Sequence, residues 1–391
     1  MVRMSGLSNA TGLRILIAIG VPRQREAGAA GVVLKHAHEL ERRGHSVVCW
    51  FLEDVLAKPV KWRRFQDLQF AVTVAMRVLK DTEQFDVVNI HAPWGCAYGL
   101  WRKLARPVGA PAYVMTMQGS EDRFVQAMRI EHRRGRAPNF GPKNRLWHRL
   151  YHQTMYDFSI KTADYGAVAN REGWIHSELK YRREPGRIWF VPNGTEERFF
   201  LKREYPDRPD VRLLYVGTWL DRKGVYYLAE ALRIVAGKLP SVRLTVAGCL
   251  LPEEEIRKSF APTTQDRLTV VPFVTRDEMP SVYASHDVFV FPSLVEGMPL
   301  TLLEAMASAM PVVTTETSGM ADVVEHGVNG LLVPPADSER LADAVEQVCL
   351  STDLRKQLGQ AAQTTMRSYT WERVTEKLEK VLSLAALNGR T

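Results

Sequence analysis

The chain has 391 residues, too many for one ordinary hydrophobic core, and they fit two domains of roughly 150–200 residues. Hydrophobic residues make up 46% and charged residues 25%, which excludes wholesale disorder, collagen-like repeats and low-complexity architecture. The net charge of +8 is uneven: residues 1–200 hold 31 Lys or Arg against 19 Asp or Glu, net +12, and the remainder holds 21 against 25, net −4. A partner of opposite sign is therefore expected to meet the first half alone.

Residues 1–12 lack periodicity and read as a frayed tail. Nearly continuous apolar runs then recur between helical patterns at Arg14–Ile19, Ser46–Leu52, Asp86–His91, Ala112–Met117, Tyr165–Ala169 and Ile188–Val191. Such runs predict strands covered on both faces, as in a parallel sheet. The polar, Pro-punctuated stretch Lys202–Asp210 (KREYPDRPD) marks a linker over 201–210. A second series follows at Val211–Gly217, Arg243–Gly248, Leu268–Phe273, Asp287–Phe291, Pro311–Thr315 and Gly330–Val333. The expected fold class is α/β, with two Rossmann-like doubly wound parallel-sheet domains, 1–200 and 211–370, facing a cleft. A final helix over 371–391 is expected to pack back on the first domain. Cys49, Cys96, Cys249 and Cys349 form no CxxC pair, so neither a disulfide framework nor a zinc site is expected, and a reducing cytosol is the default compartment. No apolar run reaches the roughly 18 residues of a membrane span and no signal peptide is evident, so any membrane contact would be peripheral.

The segment Phe291–Pro311, FPSLVEGMPLTLLEAMASAMP, carries the most chemistry. A strand ends in a Pro-Ser turn, and Pro299 suits the first turn of a helix that runs on to Met310. The helix start aims the N–H groups of Gly297, Met298 and Leu300 and a positive dipole end at the cleft, a place for a diphosphate. Glu296 can reach a sugar hydroxyl and Glu304 a ribose diol; an amphipathic helix with solvated glutamates is the alternative. The Glu-x7-Glu spacing, followed by PVVTTETSGMADVVEHGVNGLLVPPAD, resembles the retaining glycosyltransferases of family four, which have the GT-B fold. That resemblance implies that Glu296 contacts the donor sugar and Glu304 the nucleotide ribose.

Val216–Gly224, VGTWLDRKG, is similar to the same family's phosphate loop, in which an Arg after the first Gly and a Lys before the last hold the diphosphate. Gly217 and Lys223 fit; Thr218 stands where the Arg is expected, and either Arg222 supplies that charge or the site is weaker than usual. In the first domain Gly28 and Gly31 would let a donor phosphate approach the backbone. Glu53 after the second strand suits a ribose contact, which keeps a nucleotide-linked dehydrogenase as a rival, although the G-x-G-x-x-G spacing is absent. YVMTMQGSED (113–122) resembles the loop where family members place a histidine; Gln118 can hydrogen-bond a sugar but carries no proton. His91, ending the preceding strand, faces the same cleft edge as a possible sugar or acceptor contact. Asn193-Gly194 matches the family's turn before the linker and is read as hinge geometry.

Cations interleaved with aromatics concentrate in Lys58–Phe65, with Lys61, Arg63 and Arg64, and in Arg123–Arg149, with Arg133, Arg134 and Arg136. This composition suits an anionic membrane surface or RNA, or a merely solvated face. The resemblance favours a membrane or anionic acceptor over nucleic acid. It implies hexosyl transfer from a nucleotide-diphospho sugar to a glycan or lipid-linked hydroxyl with retention, without a cofactor or metal, in polysaccharide or glycolipid synthesis. A non-catalytic sugar-nucleotide or glycan-binding subunit and a sugar-nucleotide epimerase on the same fold are the alternatives.

Overall fold

A computed structural model describes residues 12–23, 28–56, 65–80, 84–105, 108–137 and 140–389. The first sheet holds β1 (Arg14–Ala18), β2 (Ser46–Trp50), β3 (Val87–His91), β4 (Ala112–Met117), β5 (Tyr165–Val168) and β6 (Ile188–Phe190), in the order β2-β1-β3-β4-β5-β6. The second holds β7 (Arg212–Val216), β8 (Arg243–Ala247), β9 (Leu268–Val271), β10 (Val288–Phe291), β11 (Val312–Thr315) and β12 (Leu331–Val333), in the order β12-β11-β10-β7-β8-β9. Neighbouring strands in both sheets run parallel. Each of the twelve apolar runs of the sequence holds one strand.

The runs are continuous because helices cover both faces. Along β1, Ile15 and Ile17 join one buried cluster while Leu16 and Ala18 join the cluster on the opposite face. The second domain closes around a single core that includes Leu214, Val246, Phe289 and Val313. Strand order reverses between β1 and β3 in the first sheet and between β7 and β10 in the second, which opens a crevice at the carboxyl ends of those strands.

The helix Trp371–Asn388 crosses back to the first domain and buries Leu378, Val381, Leu382 and Ala385 with Ile15, Val87 and Val114. Beneath it His36 lies 2.8 Å through Nδ1 from the Thr375 hydroxyl, with its ring edge-on to Trp371. Burial pulls His36 down to about 4, and burial with the nearby His36 pulls His91 down to about 3. Both lie below the ordinary value of an unfolded chain, so the unfolded state binds more protons in this range. Their contribution to stability is complete above about pH 6.5 and is lost as pH falls toward those lower values. Melting curves from pH 8 to 3 are expected to lose about 3 kcal/mol through His36. His36→Gln, which can keep the bond to Thr375, is expected to flatten that slope; an unaltered slope would assign it to other groups.

The helix from Pro142 to Thr162 contains a π turn at His148–His152, which the sequence does not announce. No helix among the described residues is long and apolar enough to cross a membrane.

Candidate active site

The loops after β7 and β10 meet at the second sheet's switch point. Gly224 has φ +70°, and a Cβ there would lie 1.9 Å from the Pro292 carbonyl oxygen, so only glycine lets the two loops close. The Leu294 N–H donates to the Arg222 carbonyl at 2.8 Å and fixes the register of one loop against the other.

This closure gathers Arg222, Lys223 and Glu296. Lys223 Nζ lies 2.6 Å and Arg222 Nη1 2.8 Å from Glu296 Oε1, and the buried Ser293 hydroxyl donates to the same oxygen at 2.9 Å. Glu296 Oε2 has no hydrogen-bond partner among the described residues. Burial works to raise the Glu296 carboxyl, but the two cations and Ser293 hold it below its ordinary value, so it is ionised. Burial lowers the Lys223 ammonium, against the pull of Glu296, and Lys223 also sits 4.9 Å over the Phe291 ring. One buried carboxylate thus faces two cations and leaves a surplus positive charge at the crevice. Gly217 (φ +151°) starts the loop, and Thr218 turns its carbonyl to the Tyr215 hydroxyl at 3.1 Å.

Glu304 is buried in the helix Leu300–Ala307 with both oxygens engaged, one by Arg276 and the other by the Tyr283 hydroxyl at 3.0 Å. Burial raises its carboxyl despite Arg276. Arg276 also donates to Glu196 at 2.8 Å, and Glu196 takes Lys35 of the first domain at 2.7 Å. This chain from Lys35 to Glu304 crosses the cleft. Pro299 occupies the N-cap with extended backbone rather than the first helical position expected from sequence.

The first domain closes on the same loop. The Asn170 and Asn193 amides donate to the carbonyls of Gly297 (3.2 Å) and Met298 (2.7 Å), so Asn193 holds the donor-side loop as well as forming a turn. A Cβ on Gly297 would lie 1.3 Å from the Gln118 carbonyl oxygen. Gly297→Ala is therefore expected to part the domains: solution scattering gives a larger radius of gyration, and turnover falls by about tenfold or more as the site is misplaced. Unchanged scattering and turnover would show that the two loops do not meet in solution.

Gly28 (φ +64°) and Gly31 begin the helix Gly28–Arg42, whose Val32 shares a cluster with Trp371, Val374 and Leu300 at the mouth of the second domain's helix. His91 and Gln118 line a small pocket with His36, Asn89 and Thr116. Glu53 accepts the Arg23 N–H at 2.8 Å and so serves its own loop. Lys61, Arg63 and Arg64 lie outside the described residues. Arg133 is exposed, but Arg134 and Arg136 turn toward the second domain instead of presenting a free cationic face. Arg134 donates to the Tyr227 hydroxyl at 2.5 Å, Tyr227 donates to the buried Glu131 at 2.6 Å, and the Arg136 guanidinium lies 4.6 Å over the Tyr227 ring. Side chains far apart in sequence make this contact, and no local pattern marks it.

Residues 210–351, which contain Arg222, Lys223 and both glutamates, match the family described as glycosyl transferases group 1. The match covers the second domain, and that part of the chain is similar to members of that family. The chain is 32% identical over 197 residues to the sulfoquinovosyl transferase SQD2 of Arabidopsis thaliana, a match covering 50% of this chain and 37% of that protein. The chain spans about half the length or less of several further curated relatives. Among solved structures, a sucrose-phosphate synthase from Thermosynechococcus elongatus superposes with a TM-score of 0.75 at 18% identity, covering 95% of this chain and 98% of that one. Anabaena Alr3699/HepE, in complex with UDP and glucose, gives 0.68 at 15% identity over 95% and 100%. These likenesses establish the fold as GT-B. The match over residues 210–351 favours a glycosyltransferase over a dehydrogenase reading, and one Glu53 oxygen already serves its own loop.

Proposed function

We propose that the protein transfers a hexosyl group from a nucleotide-diphospho sugar to a hydroxyl of a glycan or lipid-linked acceptor, with retention of configuration. The observation that carries this reading is the Glu296 carboxylate, held by Lys223, Arg222 and Ser293 through Oε1 while Oε2 is left for a sugar hydroxyl. In the proposed reaction the bond from the anomeric carbon to the diphosphate oxygen breaks, and the acceptor oxygen forms its bond to that carbon on the same face. The acceptor proton passes to the leaving phosphate oxygen. Charge gathers on the diphosphate as the bond breaks, and Lys223 and Arg222 are placed to stabilise it. Arg222 then takes the part that Thr218 leaves unfilled, and these cations with the N–H groups of Gly297, Met298 and Leu300 neutralise the diphosphate without a metal.

Glu304 contacts the nucleotide ribose in this reading once Arg276 turns away from it. His91 and Gln118 face the sugar or acceptor as hydrogen-bonding groups, and burial favours the neutral form of His91 near pH 7. Anabaena Alr3699/HepE, which shares the fold, holds UDP and glucose, and this supports a UDP-sugar as the first donor to assay.

The test is incubation with UDP-, GDP- and ADP-hexoses, with and without lipid extract and chelator, following nucleotide release and the anomeric configuration of the product by NMR. Release coupled to a retained product, undiminished by chelator, is expected. Saturable donor binding without release would instead identify a binding subunit, and sugar interconversion without transfer an epimerase.

A further inference from the structure

Two neighbouring helices of the first domain expose apolar side chains that no other part of the described chain covers. On the helix Gln66–Lys80, Leu68, Val72 and Met76 recur at helical spacing on the outer side, with Met76 57% exposed, while Phe70, Val74 and Val78 fill the core behind them. On the helix from Pro142 to Thr162, Leu146 and Leu150 are 59% and 66% exposed. The helices are joined by aromatic contacts: Phe65 meets Trp147 at 5.3 Å and Tyr151 at 5.8 Å, the last two stack at 4.8 Å, and the Tyr151 hydroxyl accepts the Leu68 N–H at 3.0 Å. Their exposed leucines and methionine therefore lie on adjoining elements, and exposed apolar side chains grouped in this way mark interaction surfaces.

Charge selects the partner. Lys143, Arg145 and Arg149 flank Leu146 and Leu150, and none forms an ion pair with a carboxylate among the described residues. The acids of the same two helices are engaged within the domain. Asp67 accepts the Trp94 indole N–H at 2.9 Å, and Asp157 accepts Gln153 and the Tyr181 hydroxyl, each at 2.8 Å. An apolar stripe with aromatic side chains beside it and unpaired cations around it is complementary to an anionic bilayer: the leucines and methionine enter the acyl boundary, the rings settle among the headgroups and the cations meet lipid phosphates.

We infer that the outer face formed by Leu68, Val72, Met76, Leu146 and Leu150 seats the first domain on an anionic lipid bilayer. The seat draws its cations from the end of the Arg123–Arg149 segment, Lys143, Arg145 and Arg149, and not from Arg134 and Arg136, which the second domain engages. It rests on the proposed function only in naming a lipid-linked acceptor, because a bilayer-seated first domain would meet such an acceptor at the membrane surface. Vesicle binding and nucleotide release are read separately, so failure of one is distinguishable from failure of the other.

The experiment is co-sedimentation of the full chain with vesicles of phosphatidylcholine alone and of phosphatidylcholine mixed with phosphatidylglycerol. Wild type is expected to bind the anionic vesicles and not the neutral ones. The double variant Leu146→Ser/Leu150→Ser and, independently, Lys143→Ala/Arg149→Ala are each expected to lower the partition coefficient by about tenfold, with circular dichroism and nucleotide release from a water-soluble donor unchanged. Binding of wild type and both variants to the same extent, or no binding by wild type, would overturn the inference. So would lipid-independent self-association that Leu146→Ser/Leu150→Ser abolishes.

Discussion

Lys223→Ala is expected to lower kcat by about 10²–10³, the cost of removing one preorganised charge from a developing oxyanion. Lys223 is held against Glu296 at 2.6 Å and over the Phe291 ring at 4.9 Å, so its ammonium is already placed before a diphosphate arrives. Arg222 and Ser293 still compensate Glu296 in the variant, which should keep the fold and lower the melting temperature only modestly. Lys223→Arg restores the charge with a different shape and should recover part of the rate. The check is steady-state kinetics beside a melting curve. A variant with wild-type kcat would remove Lys223 from the reaction.

The second large effect separates the two glutamates. Glu296→Ala is expected to lower kcat by about 10²-fold while the donor KM changes little, since Glu296 Oε2 is open to a sugar hydroxyl as charge develops at the adjoining diphosphate. Glu304→Ala is expected to raise the donor KM by about tenfold with kcat largely kept, the loss of a charged hydrogen bond to the ribose. Glu304 also anchors Arg276 and Tyr283 in the buried chain that reaches Lys35, so this variant is expected to melt at a lower temperature. Rescue of the melting temperature but not of KM by Glu304→Gln would separate the two roles. The reverse pattern, kcat lost at Glu304 and KM lost at Glu296, would exchange the assignments.

The parts of this fold that are legible in the sequence are those fixed by local pattern. Residues such as Val87–His91 are buried on both faces and therefore form an uninterrupted apolar run, and the same holds along both sheets. Arg222 and Lys223 stand beside Gly224 in a strand-to-helix loop, and Glu296 stands in another, and it is the resemblance of these two loops to those of family-four glycosyltransferases that nominates them. What spacing does not show is that both cations converge on one Glu296 carboxylate oxygen, because that depends on Pro292 passing within reach of a glycine without a side chain.

Other features are long-range and leave no local trace. Arg276, Glu196 and Lys35 belong to three separate loops or helices, yet they form one ion-pair chain onto Glu304. Arg134 and Arg136 read as free cations in a basic segment; Tyr226 and Tyr227, on a helix some ninety residues away, take them as interdomain partners. The exposed stripe at Leu68, Val72 and Met76 has the same spacing as a core-facing stripe, and only the packing of Phe70, Val74 and Val78 shows which one faces out. Pro299 reads as a helix-initiating residue, and its extended backbone at the N-cap is set by the neighbouring contacts of Met298.

The central claim is that Arg222, Lys223 and Glu296 form the seat of a nucleoside diphosphate. Isothermal titration of the full chain with UDP, GDP and ADP, repeated on Lys223→Ala, tests it most directly. Saturable binding of one of these nucleotides by wild type, weakened by about tenfold or more in the variant, is the predicted result. Binding of equal strength in both proteins, or no binding of any of the three to wild type, would contradict it.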